Sequence, residues 1–162
     1  MRGLCAKPDG RKGIYGNIVI RKSMNEEAYA ILEDFDLSLL KRVYELVGKE
    51  ALKDDEKCPP TFESGLRIPS IAEEFVERIR TLSREPAAPE RIAAAALRFP
   101  IWRQPFKNCN HRTGYAMCSQ VLGLFGLGST ASKDEIVKYV FSINKYSYSE
   151  EEVETWIRGR IR

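Results

Sequence analysis

Nothing in this 162-residue chain approaches the ~20 consecutive apolar residues of a membrane-spanning helix. Its longest apolar stretch runs only from Val121 to Leu127. The opening Met-Arg-Gly-Leu-Cys-Ala-Lys-Pro-Asp-Gly holds no run long enough for a signal peptide, so a cytoplasmic protein without a membrane partner is expected. Histidine is nearly missing, with His111 the single example. The four cysteines (Cys5, Cys58, Cys109 and Cys118) lie far apart with no Cys-x-x-Cys pair, which argues against zinc or another metal. They read most simply as free thiols, some of them buried, with a disulfide left open. A strong charge imbalance is missing as well. Net charge is +3, and no helix-turn-helix or RNA-binding signature is recognisable, so nucleic acid is not an expected partner.

Basic residues are nevertheless uneven. Residues 1–22 carry Arg2, Lys7, Arg11, Lys12, Arg21 and Lys22 against Asp9 alone, a pattern that reads as a solvated extension. With 43% hydrophobic residues, no internal repeat and no composition break, the chain suits one domain over 1–162 with a single core.

The expected fold class is all-α. Only residues 14–20, Ile-Tyr-Gly-Asn-Ile-Val-Ile, suggest strands, as a short hairpin around Gly-Asn. Four helix starts match a capping box: Ser23 with Glu26, Ser70 with Glu73, Ser132 with Glu135, and Ser149 with Glu152. Pro89 suits the first turn of another helix, and Pro100 should kink or end it. Apolar residues recur at helical spacing. Leu39, Leu40, Val43, Leu46 and Val47 form one inward face, Ile71, Phe75, Ile79 and Leu82 a second, Ile136, Val137, Val140 and Phe141 a third, and Val153, Trp156 and Ile157 a fourth. The segment from Thr113 to Leu127 carries no charge at all, which predicts a helix buried on all sides at the centre of a bundle, ended by Gly126 and Gly128.

Just before that segment lies Gln104-Pro105-Phe106-Lys107-Asn108-Cys109-Asn110-His111-Arg112. The first amides of a helix lack internal partners, and the helix dipole adds partial positive charge there. Such an end suits phosphate or carboxylate, and Arg112 could add a bidentate contact. The same residues also admit a plainer account, in which Asn108 or Asn110 is an N-cap worth about 1 kcal/mol and Arg112 and His111 are surface groups. From the residues alone the two accounts stand about even.

The segment resembles the signature of the Fic/Doc family, H-x-F-x-(D/E/N)-G-N-(G/K)-R, at Phe106, Asn110 and Arg112, with Asn108 within the Doc-like range. Gly65-Leu66-Arg67-Ile68-Pro69, the alanine-rich Ile92–Ala96 run and the final Tyr148–Ile157 segment are similar to Doc-like segments in the same order. The resemblance implies a helical bundle around the motif helix. It also implies a phosphate-binding loop over Asn108, Cys109, Asn110, His111 and Arg112, with Phe106 packed beneath it. ATP or another nucleotide, with Mg2+, would be the ligand. A translation factor would be the target and an antitoxin the partner.

Three positions depart from that pattern. Gln104 stands where the family has its catalytic histidine, and a neutral amide cannot accept the proton of a target hydroxyl, a step typically worth about 10²–10⁴ in rate. Cys109 replaces the loop glycine, whose value is tolerance of positive φ and close approach of an anion. Asn108 replaces the acidic Mg2+ ligand of AMP-transferring members. His111, at the Gly/Lys position, is the candidate substitute, either protonated against phosphate or as a relocated base. The leading expectation is a Doc-like pseudoenzyme that retains a phosphate site. The alternatives are an active phosphoryl or AMP transferase acting on a protein hydroxyl, and a non-catalytic interaction module.

Overall fold

The computed structural model describes residues 25–53, 58–59 and 61–162. The hairpin expected over 14–20, the basic segment 1–22, Cys5 and the cap expected from Ser23 lie outside the described residues.

The fold is all-α. Residues 25–33 are helical (α1), followed by α2 (Leu37–Lys53), α3 (Phe62–Gly65), α4 (Pro69–Arg84), α5 (Pro89–Arg103), α6 (Asn110–Leu124), α7 (Lys133–Tyr146) and α8 (Glu150–Arg158). Among the described residues, β pairing is confined to two single antiparallel bridges, Leu66 with Phe106 and Ser129 with Ile161.

Local chemistry explains most of the helix starts. Ser132 and Ser149 each accept from the backbone amide three residues on, while Glu135 and Glu152 reach back to the serine N–H, completing both expected boxes. Thr61 and Ser64 form a further box at α3. The box expected at Ser70 does not form. Pro69 takes the first helical position, where its missing N–H costs nothing, so Ser70 falls inside the first turn and Ile68 becomes the N-cap. Pro89 likewise opens α5. Pro100 does not end α5, which continues to Arg103. The last turn closes on the carbonyl of Pro100, which accepts from Gln104 N at 3.0 Å, and left-handed Gln104 (φ 49°, ψ 60°) stops the helix.

The inward faces are narrower than their spacing suggests. On α2 the buried stripe is Leu40, Val43, Tyr44, Gly48 and Ala51, while Leu39 and Leu46 face outward. On α4, Phe75, Ile79 and Leu82 are buried as expected. On α7, Val140 and Ile143 face the core, whereas Val137 and Phe141 are exposed.

The centre of the bundle is α5 rather than α6. Every residue from Ile92 to Leu97 is buried, and α5 packs against α4, α6, α7 and α8. Four consecutive alanines, Ala93 to Ala96, let neighbouring backbones close in on it. Helix α6, uncharged from Thr113 onward, is buried along Thr113, Gly114, Met117, Cys118, Val121 and Leu122 but exposes Tyr115, Ser119, Gln120 and Gly123. Gly114 decides its position, because a Cβ there would lie 2.4 Å from the Leu97 carbonyl oxygen of α5. After α6 the chain turns through left-handed Gly126 (φ 68°). The following loop pairs with the tail, Gly128 and Arg162 exchanging two backbone bonds of 3.0 Å. Arg78 of α4 ties down α8 through Glu150 at 2.6 Å, and Trp156 stacks on Tyr139 with ring centroids 4.0 Å apart.

Candidate anion site at the start of α6

The loop from Gln104 to Cys109 joins the central helix to α6, and its geometry follows from three anchors. The first is Phe106, 1% exposed, whose ring lies 4.4 Å from Tyr44 and 5.7 Å from Phe62. The second is the segment Gly65–Ile68. Arg67 N and Ile68 N both donate to Pro105 O, at 2.7 and 3.2 Å, and Lys107 N donates to Gly65 O at 2.8 Å. Gly65 is required there, since a Cβ would meet the Tyr44 hydroxyl at 2.0 Å. The third is Asn110, whose buried side chain brackets the backbone of one residue, Phe106. Its Oδ1 accepts from Phe106 N at 3.1 Å and its Nδ2 donates to Phe106 O at 2.8 Å.

Two segments far apart in the chain and singled out in the sequence thus meet through backbone bonds. The amide oxygen and one amide hydrogen of Asn110 are thus bonded within the loop, so its side chain holds the loop in shape.

Cys109 is the N-cap of α6 and adopts φ 62°, ψ 17°, the left-handed conformation that L-residues other than glycine, asparagine and aspartate seldom take. It supplies no side-chain bond to the first turn. Its amide donates to Asn108 Oδ1 at 2.7 Å, and its carbonyl accepts from Thr113 N at 2.9 Å. Its sulfur is bonded to Cys58, with Cα atoms 6.2 Å apart. This pairing corrects the expectation of free thiols at these two positions, and in this state Cys109 has no thiol to act as a nucleophile. Cys118 is a free, buried thiol, its pKa pushed up to about 12 by desolvation, and is inert.

His111, in the first turn, is half-buried and stacks on exposed Phe141 of α7 with ring centroids 4.8 Å apart. Burial lowers its proton affinity below the ordinary value of 6.5, which works against the protonated ring. Arg112 is also half-buried, and both it and Asn108 make further interactions within the protein. Gln104 sits half-buried at the opposite end of the loop, with its backbone left-handed. Among the described residues, no partner reaches the fully buried Thr113 hydroxyl in the same first turn.

Several contributors were not identified from sequence: Cys58, Tyr44, Phe62 and Phe141. Spacing alone carries no signal for them, because each acts across the tertiary structure.

A cavity of about 310 Å³ lies elsewhere, between α6, α7, α8 and the tail, lined by Leu122, Ile136, Val140, Trp156 and Arg160 among others. Arg160 at its edge is already engaged, over the Trp156 ring at 4.7 Å and 4.0 Å from Glu135. Among the described residues, no cluster of His, Cys, Asp or Glu could hold a metal ion, and no helix is long and apolar enough to cross a membrane. No family model, curated protein or solved structure matches the chain.

Proposed function

We propose that this is a Doc-like protein holding a phosphate-bearing ligand, such as a nucleotide, at the amino end of α6, with transferase activity weak or absent. The observation that carries the reading is left-handed Cys109 leading directly into helical Asn110. Alternation of hand at successive residues turns backbone amides to one side, where the helix dipole favours negative charge; with the Cys109 amide bonded to Asn108 Oδ1, the amides of the next turn carry the reading. The resembled pattern places glycine at this position, and positive φ is the property that glycine would serve. The aromatic seat under Phe106 and the Asn110 bracket keep the loop rigid, which lowers the entropy cost of binding.

Gln104 accounts for the weak chemistry. It occupies the place of the base, and its amide has no basic lone pair. One observation favours the second reading, a live transferase acting on a protein hydroxyl. Burial favours the neutral form of His111, the one able to accept a proton, though its ring face is covered by Phe141. Mg2+, a translation-factor target and an antitoxin partner rest on the resemblance alone.

Calorimetric titration with ATP, GTP, CDP and AMP tests the site. At least one should bind, and Arg112→Ala should weaken it about tenfold, the loss of one charge-assisted contact. Undetectable binding of all four to the native protein removes the proposal. Labelled ATP with cell lysate separates the two readings. Labelling gained only with Gln104→His marks the native protein as a pseudoenzyme, and labelling by the native chain marks a live transferase.

A further inference from the structure

We infer that Cys58 and Cys109 are a redox pair that controls the shape of the α6 amino end, and through it the affinity for a phosphate-bearing ligand. The inference rests on the reading of that end as the anion site.

The two cysteines are 51 residues apart in sequence, yet both are buried and bonded, 6% and 5% exposed. Their Cα separation of 6.2 Å lies within the range a disulfide spans. Cys58 is seated against α2, where Gly48 leaves room (a Cβ there would lie 3.8 Å from its sulfur), and its Sγ is 3.9 Å from the Tyr44 hydroxyl. Tyr44 in turn supports Phe106 under the loop. The bond therefore runs from the packed wall of the site to a left-handed backbone residue, Cys109 at φ 62°.

A left-handed conformation in a residue with a Cβ persists only while its surroundings enforce it. Oxidised, the covalent tie to Cys58 is one such constraint. Reduced, Cys109 is released to return to negative φ, and the amides that follow no longer converge. Closing the bond removes two electrons and two protons from the thiols and delivers them to a low-molecular-weight disulfide. One thiolate attacks it, expelling a small thiol, and the second cysteine attacks the mixed disulfide, expelling another. Excess small thiol reverses both steps. Where glutathione keeps thiols reduced, protein disulfides are usually transient and redox-sensing, in keeping with a control function.

The test uses the full chain with ATP as probe, equilibrated with glutathione disulfide or with dithiothreitol. Peptide mapping after alkylation of free thiols should find a Cys58–Cys109 linked peptide only in the oxidised sample. Calorimetry should show ATP binding weakened about tenfold on reduction, the scale of one strained backbone residue. Cys58→Ser should bind as weakly as reduced protein in both conditions. Cys109→Gly, which reaches positive φ without a bond, should bind more tightly than Cys58→Ser and ignore the redox state. Absence of the linked peptide, or equal affinity in the two states, overturns the switch and leaves the anion site standing. If ATP does not bind, GTP, CDP and AMP are titrated in the same two states, and failure of all four with the linked peptide present overturns the switch together with the site.

Discussion

Replacing Asn110 with alanine removes both bonds that bracket the Phe106 backbone and leaves a buried N–H and C=O to find new partners. Each unsatisfied buried group costs about 1–3 kcal/mol. Asn110→Ala should therefore lower the unfolding free energy by roughly 2–4 kcal/mol, read as a lower urea midpoint at unchanged m-value. Thr113 makes the opposite case. Its hydroxyl is fully buried and unpartnered among the described residues, so the near-isosteric Thr113→Val should stabilise by about 1 kcal/mol; a fall in Tm would show that the hydroxyl has a partner. His111 predicts a pH effect. Its folded-state pKa is depressed by burial, so as pH falls below 6.5 the unfolded chain takes up a proton that the folded chain resists. Stability contributed by this group is thus complete above 6.5, falls on acidification, and levels off below the folded-state pKa. Urea melts from pH 8 to 5 on native protein and His111→Phe should diverge only at the acid end.

Two glycines in α6 give contrasting outcomes for one substitution. At Gly114 a Cβ would strike the Leu97 backbone at 2.4 Å, so Gly114→Ala must push α6 off α5 and should cost about 3 kcal/mol or more. At Gly123 a Cβ would meet nothing within 4 Å, so Gly123→Ala should stabilise by about 0.5–1 kcal/mol through helix propensity. Thermal melts of the pair decide whether close helix approach holds this bundle in register. Helix starts show how much was legible in advance. Ser132 and Ser149 were readable because a capping box is a local hydrogen-bond pattern. Ser70 does not cap because Pro69 competes for the start of the same turn, and Pro100 does not end α5 because a helix near its end can lose one amide bond and continue.

The bundle is closed by contacts between residues distant in the chain, and the Cys58–Cys109 bond is the strongest of them. A cross-link closing a loop of 51 residues should contribute about 4 kcal/mol by restricting the unfolded chain. Reduction should lower the urea midpoint of native protein accordingly while leaving Cys58→Ser unmoved. The loop at the candidate site was legible from composition as a polar, amide-rich stretch running into a segment uncharged from Thr113 onward. Its working form was not. Left-handed Cys109, the Asn110 bonds to Phe106, the His111 ring against Phe141 of α7 and the pairing with Cys58, between α2 and α3, appear only in the folded chain. Periodicity and capping act within a few residues, so the chain's own order was enough to specify helices and where most begin. Which helix lies innermost and which cysteines meet depend on packing between distant segments, and only the folded arrangement supplies it.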